Sequence, residues 1–516
     1  MDTILEYIDH HAANTPDSVF LITPVVSEGE SGYKQLSFDE LQRQTRLVGA
    51  QLQAANVGSQ AKVAFLMGNG QWATLLFLGV MAAGRVIVPI NAVAGETQML
   101  HVLDHCDAEL IFVAPEYRQM LENLLEQVHR SVTVIVVDED SGPEWRTEAS
   151  TSVADNIVPS AEDHALLLYT SGSTGLPKGA LLSQRAVVSG GKNVVLGHGL
   201  TSSDRALCVL PVYHINGAMV TVSAPLVSGG SIVMPPKFSV KHYWSWVAAY
   251  ECTWSSIVPT IIKYLLDRAA IEEYDFGNQP ELEQFRFARS ASAPLPAVVL
   301  KQWEETFYVP MIETMGLTEA AATVATNPMP PEIRKPGSVG CAVGNEIEIG
   351  NEQGELQPPD TVGELLIRGD NVLTEYYKNP DATSGAFVNG WFRTGDLGVK
   401  DKQGYFFITG RLKELIIRGG ENIAPREVDD VLYKHEAVLE AAAFGVDDDN
   451  YGQEVHACIA LRDGYTCSDE ELMLFCESAI GKIKKPKKIY FFPELPKGPS
   501  GKILRLKLPD LIKQSS

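Results

Sequence analysis

The residues best placed to do chemistry follow an apolar run. Ala165 to Thr170 reads as a strand, and it delivers the chain into the small-residue loop SGSTGLPKG at 171–179. Glycine lets consecutive backbone N–H groups converge on an anion, serine and threonine add hydroxyl donors, and Lys178 adds charge. The pattern is not the Walker arrangement GxxxxGK[ST], whose lysine directly precedes Ser or Thr. From these residues alone the loop is either a phosphate cradle or a flexible Ser/Gly surface turn. The strand ahead of it favours the cradle.

Other short runs carry chemically capable residues in a fixed order: LSFDEL (36–41), MAAGRVIVPIN (81–91), PVYHINGA (211–218), RSASAPLP (289–296), ETMGLTEA (313–320), GELLIRG (363–369), WFRTGDLG (391–398), GRLKELIIRGGENIAPREVD (410–429) and GPSGKILR (498–505). With YTSGSTGLPKG at 169–179 they resemble, across nearly the whole chain, the motifs of the adenylate-forming superfamily. That superfamily comprises acyl-CoA synthetases, aryl-CoA ligases, luciferases and peptide-synthetase adenylation domains. Within it the chain most resembles a bacterial fatty-acid or aryl-acid CoA ligase. The resemblance implies a carboxylic acid, ATP, Mg2+ and CoA as the small molecules used. A carboxylate is anionic and resonance-stabilised, hence a poor electrophile. Joining it to the α-phosphate of ATP makes a mixed anhydride that a thiol can attack, and bringing the two anions together calls for positioned cations, backbone donors and a divalent metal.

The resemblance gives the ATP phosphates to Thr170, Ser171, Gly172, Ser173, Thr174, Gly175 and Lys178. Thr318 resembles the residue that bonds the α-phosphate, and Glu319 the Mg2+ ligand, a role suited to a hard carboxylate oxygen. Outside the MGLT context Glu319 would read as a solvated surface acid. Asp396 in RTGD matches the carboxylate that accepts both ribose hydroxyls, since an ionised Asp is acceptor-only and takes two donors. Arg411 resembles a second ribose or phosphate contact. Ser292, Ala293 and Pro294, with Glu313, Thr314 and Met315, would enclose the adenine. Most members carry an aromatic ring at the place of Met315, so here a polarisable thioether replaces a stacking ring, which allows weaker ATP binding without loss of activity.

Lys502 in PSGK matches the lysine that bridges the acyl carboxylate and the developing phosphoryl charge; by composition alone it is one lysine in a basic tail. Lys413 matches the hinge about which the small domain turns for the second half-reaction, and a GRLKE turn tolerates such a change of φ and ψ. Gly419 and Gly420 would let a thin pantetheine arm pass close to backbone, with Arg418 and Lys484 as further CoA contacts. His214 lies in the segment that approaches the acyl carboxylate; packing and substrate gating are equally open for it. The run KIKKPKK (482–488) is either a solvated basic turn or a landing patch for the CoA 3′-phosphate or an acidic carrier protein. His214, Ile215, Val258, Gly316, Leu317 and Ala320 would line the acyl pocket. Gly316 matches a position where bulky aromatic residues shorten that pocket in acetate-using relatives. The expected acid is therefore larger than acetate: medium-chain, branched or aromatic.

The elements that must hold these residues are legible as periodicity. Strand-like runs at 61–66, 85–90, 110–113 and 133–137 alternate with helical ones at 74–83, 97–107 and 118–127, which suggests βαβ units and a largely parallel sheet. Residues 139–162 read as a long surface connection. After Gly410 come a helix (427–435), strands (439–446, 454–461), a helix (469–480) and a strand (488–492), enough for a small α+β domain. The expected architecture is α/β: a large multi-sheet N-terminal domain over 1–410 that binds acyl group and ATP, and a small mobile α+β C-terminal domain over 411–516.

Composition sets the outer bounds. The 516 residues exceed one simple domain, and 45% hydrophobic with 21% charged residues is ordinary for a globular enzyme. Lys plus Arg number 42 against 65 Asp plus Glu, leaving −23, which argues against a general nucleic-acid or anionic-membrane binder. Seven scattered cysteines with no CxxC pair show neither zinc spacing nor a disulfide framework and point to a reducing cytoplasm. The N-terminal residues lack the order of a signal peptide. The most apolar stretch, Trp72 to Ile90, is broken by Gly84, Arg85 and Pro89 and reads as helix, turn and strand rather than a membrane span. Monomer and dimer are both open. Two competing readings share the fold: a ligase loading an acyl carrier protein instead of CoA, and a non-catalytic nucleotide binder, which would be expected to lose Lys502, Glu319 or Asp396. A luciferase-like oxygenase has no positive sign.

Overall fold

The computed structural model describes residues 1–27, 30–139, 141–145, 157–170, 176–272, 282–497 and 503–514. Two large sheets dominate. In the eight-stranded one the order is Glu375–Tyr376, Lys178–Ser183, His164–Thr170, Val86–Pro89, Lys62–Leu66, Ala108–Val113, Thr133–Asp138, Gly142–Pro143. Its inner strands from His164–Thr170 to Thr133–Asp138 run parallel, as the strand–helix alternation predicts. The nine-stranded sheet is also parallel through its middle, from Val19–Ser27 to Met311–Leu317. It is closed at one end by the hairpin Val19–Ser27/Glu30–Ser37 and at the other by the antiparallel strands Ala322–Thr326 and Cys341–Ala342.

The largest apolar cluster lies between these sheets. It draws on Phe20, Phe65, Phe112 and Trp254 from the strands and on Leu41, Leu76 and Val187 from helices Phe38–Ala54, Gln71–Ala82 and Gln184–His198. Strands covered on both faces need no polar alternation, which is why Val63–Leu66 is apolar throughout. Ser37 and Ser183 cap two of those helices, each hydroxyl accepting from the backbone three residues on. Outer helices cover the far faces of both sheets. Gly84, with φ of +72°, makes the turn expected between helix and strand in the apolar stretch. No helix among the described residues is long and apolar enough to cross a membrane.

A third, five-stranded sheet is wholly antiparallel: Glu346–Gly350, Val362–Arg368, Trp391–Lys400 and Phe387–Val388, with Phe406–Arg411 on the other edge of Trp391–Lys400. The smaller C-terminal domain has its own sheet, ordered Glu421–Ile423, Ile416–Arg418, Gly452–Leu461, Val438–Asp448, with Lys488–Phe491 parallel to Gly452–Leu461. Helices Pro425–Leu432 and Asp469–Lys484 supply Val428, Leu432 and Leu472 to the apolar cluster on one side; Leu508 and Ile512 of the last helix join Phe444 and Cys458 in another.

One expectation needs correcting. The stretch 139–162 is not all surface: Gly142–Pro143 pairs with Val137 and Asp138, and Trp145 packs edge-on to Phe112 at 5.4 Å. Gly142 is required there because a Cβ would lie 2.1 Å from the Trp72 ring. Two bulky tryptophans bury this segment against the main core. Residues 140 and 146–156 lie outside the described set.

Buried charge ties the C-terminal domain together. Asp429 accepts from Arg505 Nη2 at 2.6 Å and from the Ala443 N–H at 2.6 Å, while Arg505 Nε reaches Glu414 at 3.2 Å. Removing the cation alone strands a buried carboxylate, so Arg505→Met is expected to cost ~3–5 kcal/mol. Urea unfolding of the full chain, followed for the C-terminal transition, checks this.

Candidate active site

The antiparallel pair His164–Thr170 and Lys178–Ser183 presents the Gly-rich loop, with Thr170 and Lys178 as register partners at its base. Ser171, Gly172, Ser173, Thr174 and Gly175 lie outside the described residues. The Lys178 ammonium sits 5.3 Å from the centre of the Tyr376 ring. Tyr376 is fixed there because Glu375 and Tyr376 pair with Leu181 and Ala180 on the hairpin's outer edge. Its hydroxyl donates to Glu319 Oε1 at 3.0 Å. The same strap holds the Glu319 turn by its backbone: the Leu373 N–H donates to Glu319 O at 2.7 Å and Asn371 Nδ2 to Ala320 O at 2.8 Å. Burial raises the Glu319 pKa, and the Tyr376 bond pulls it back down. A hard carboxylate with one hydroxyl donor and no salt-bridge partner among the described residues has the donor chemistry that suits Mg2+.

The turn after the strand Met311–Leu317 is strained. Thr318–Ala320 forms a single 3-10 turn, and Ala321 and Ala322 follow with φ of +45° and +82°; Ser292, on the facing loop, is at +72°. Such values in residues with a Cβ persist only where packing over-determines them, and they gather at functional sites. Thr318 is half-buried at the head of the turn. Around the expected adenine position, Ser292 and Pro294 are exposed and Ala293 half-buried, while Glu313 and Thr314 lie buried on the strand. The Glu313 carboxylate accepts from the Gly337 N–H at 2.9 Å. Burial pushes its pKa up to about 7, against the pull of that bond and of Arg426. Met315 belongs to a buried apolar cluster with Ala320, Val324, Ile347 and Phe406.

Asp396 and Arg411 are register partners on adjacent strands, and Arg411 Nε lies 2.7 Å from Asp396 Oδ1. The turn before Asp396 is braced by Glu364, which accepts from the Gly395 N–H at 2.9 Å and Arg393 Nε at 2.8 Å. Gly395 has φ of +71°, so a side chain there would be strained.

The residues expected around the acyl group lie in mixed surroundings. Ile215 and Leu317 are half-buried, and Val258 and Ala320 lie inside apolar clusters. At Gly316 a Cβ would stand 2.4 Å from the Ala322 carbonyl oxygen, so packing between strands by itself demands glycine, whatever the depth of the pocket. Polar side chains are buried close to these residues along the chain. Ser256 Oγ donates to Asn216 Oδ1 at 2.7 Å, Asn216 Nδ2 reaches Ser292 at 3.4 Å, and Ser290 Oγ and His214 Nε2 are buried with no partner among the described residues. Desolvation drives the His214 pKa down to about 4, so its ring is neutral at physiological pH. The chain around it is tight: Asn216–Ser223 is π-helical, and a Cβ on Gly217 would lie 2.2 Å from the Pro211 carbonyl oxygen.

Lys413 lies in the short turn Leu412–Glu414 between the antiparallel sheet and the C-terminal sheet. Gly419 and Gly420, with φ of +59° and +85°, form the two-residue turn joining Ile416–Arg418 to Glu421–Ile423. Arg418 ion-pairs with Glu454 at 2.7 Å and Lys484 with Glu427 at 2.8 Å. Within the basic run Lys485 and Lys487 also pair, with Glu477 and Asp448. Much of its charge is thus neutralised internally, against a simple landing patch. Lys502 lies outside the described residues.

Sequence reasoning missed Tyr376, Glu364 and the Asn216–Ser256 pair. Glu364 and Asn216 stand inside motifs and Tyr376 seven residues beyond one, but each role depends on a partner 29 to 57 positions away. Only a pairing map supplies that.

Residues 8–377 match the model of the AMP-binding enzyme family and residues 427–502 that of the AMP-binding enzyme C-terminal domain. The sulfoacetate–CoA ligase of Cupriavidus necator is 43% identical over 509 residues, covering 98% of this chain and 97% of its own. The oxalate–CoA ligase of Arabidopsis thaliana is 38% identical over 440 residues, 84% of each chain. The crystal structure of ATP-bound MatB from Rhodopseudomonas palustris superposes with a TM-score of 0.87 at 27% identity, covering 99% of both chains. Motif order, strand framework and these likenesses agree: the chain belongs to the AMP-binding enzyme family and is an acid–CoA ligase.

Proposed function

We propose that the protein activates a short, polar carboxylic acid in two steps: adenylation by ATP with release of pyrophosphate, then transfer of the acyl group to CoA with release of AMP. The observation that carries the substrate reading is the set of buried polar side chains, Asn216, Ser256, Ser290 and His214, in and beside the motifs expected to hold the acid, where a fatty or aromatic acid would call for apolar ones. The names of the two relatives, ligases for sulfoacetate and oxalate, support the same reading.

In this reading Thr170, the loop 171–175 and Lys178 cradle the β- and γ-phosphates, Thr318 bonds the α-phosphate, and Asp396 with Arg411 orients the ribose. Ser292–Pro294 and Glu313–Met315 enclose the adenine. Glu319 would hold Mg2+, which, when bound, neutralises phosphate charge. Tyr376 keeps the Glu319 carboxylate aimed and leans on Lys178, so one side chain sets two phosphate contacts. Lys502 bridges the acyl carboxylate and the α-phosphate as charge develops. Neutral His214 closes the acyl site without adding charge. Lys413 is the pivot at the boundary between residues 1–410 and 411–516, and the Gly419–Gly420 turn lies along the pantetheine path.

A screen of pyrophosphate and AMP release over acids of graded size and polarity, with and without CoA, tests the reading. Short polar acids are expected to give CoA-dependent AMP, and Lys502→Ala to abolish acid-dependent pyrophosphate release while leaving the fold intact by circular dichroism. Preferential turnover of long aliphatic acids would sink the substrate class.

The acid limb of the pH–rate profile should follow Glu319, which acts ionised. Its pKa is raised by burial and lowered by Tyr376, so activity falls as pH drops through it, and Tyr376→Phe moves that limb to higher pH. An unmoved limb would remove Glu319 from the titrating role.

A further inference from the structure

The helix Glu96–His105 sets His101 and His105 one turn apart on one face. Their rings stack at 5.4 Å. His101 Nε2 meets the Pro177 carbonyl oxygen at 3.0 Å, and since a carbonyl only accepts, this nitrogen carries the proton and donates. His105 Nδ1 lies 2.8 Å from the Tyr169 hydroxyl. Burial raises the Tyr169 pKa and lowers that of His105, so this bond joins two neutral groups. Both partners are chain neighbours of the expected phosphate contacts: Tyr169 directly precedes Thr170, and Pro177 directly precedes Lys178. Thr170 and Lys178 face one another across the hairpin as register partners. A single helical turn thus grips both feet of the Gly-rich loop.

Helix and hairpin each have their own support. Met99, Val102 and Leu103 pack the helix into an apolar cluster, and the hairpin strands pair through their backbones from His164 to Lys178. The two histidines are half-buried additions to that framework. Just past the helix, Asp107 takes hold of the strap, accepting from the Tyr377 hydroxyl at 2.7 Å and from Lys378 Nζ at 2.6 Å, while the Tyr377 N–H donates to Gly179 O at 2.8 Å. Tyr376, the ring beside Lys178, is therefore placed from the same helix end. We propose, resting on the reading above in which Thr170 and Lys178 contact the ATP phosphates, that His101 and His105 are positioning residues for the β- and γ-phosphates, holding the two feet of the loop at one fixed separation. Neither ring touches the nucleotide; each acts through Pro177 or Tyr169. Their effect is therefore confined to the pyrophosphoryl end of ATP and does not extend to AMP.

Calorimetric titration of the full chain with AMP and with α,β-methylene-ATP, which cannot release pyrophosphate, separates this role from a merely structural one. With Mg2+ present, the wild type is expected to bind the triphosphate more tightly than AMP. His101→Leu and His105→Leu should each weaken triphosphate binding by up to about tenfold and leave AMP binding unchanged. His101→Gln keeps an N–H at nearly the same reach and should recover most of the loss. Combining His105→Leu with Tyr169→Phe should cost no more than either change alone, because both cut the same bond. Variants that lose AMP and the triphosphate alike assign the histidines to the fold and overturn the proposal. Undiminished triphosphate binding in both leucine variants overturns it too, and leaves the phosphate reading of Thr170 and Lys178 standing. A wild type that binds the two nucleotides equally removes that reading, and this proposal with it.

Discussion

The hydrogen bond from Tyr376 to Glu319 is the interaction on which the candidate site turns. Glu319 stands in the turn after a strand of the nine-stranded sheet, while Lys178 opens a strand of the eight-stranded one. Nothing in either sheet alone brings that ammonium and that carboxylate together. The strap 371–377 does so by adding an edge strand to the hairpin and bonding the Glu319 turn through Asn371, Leu373 and Tyr376. Because Lys178 rests on the same ring, the spacing of cation and anion is set by one rigid aromatic side chain. The left-handed backbone at Ala321 and Ala322 is the strain this clamping holds in place.

Much of this was legible in the sequence, and for identifiable reasons. Inner strands buried on both faces, such as Lys62–Leu66 and Val86–Pro89, announce themselves as apolar runs, and the helices between them keep clear periodicity. The glycines of the Gly419–Gly420 turn are visible because backbone geometry needs them. What stayed hidden was pairing across distance. The wholly antiparallel sheet around Trp391–Lys400 is built from short, mixed strands whose partners no local pattern names. Trp145 looked like part of a polar connection because its burial depends on Phe112, far back in the chain.

Glycine at 316 and arginine at 289 show opposite limits of motif reading. The first invites a statement about pocket depth, yet the carbonyl of Ala322 already occupies the space a side chain would take. The second sits inside a matched motif and draws no notice as one more basic residue. Only its burial, bonded to Thr314 and Thr323 and to no carboxylate among the described residues, makes it stand out, since a solvated arginine and a desolvated one share a letter and little of their energetics.

Arg505 bonds both the buried Asp429 and Glu414, the neighbour of Lys413. The turn that leads into the C-terminal sheet and the segment just ahead of the last helix are thus bolted to one another inside the C-terminal domain. Under the roles proposed above for Lys413 and Lys502, that bolt would make the lysine the tip of a stiff crank rather than the end of a slack tether. The timing of the two half-reactions would then be written into a pair of buried charges.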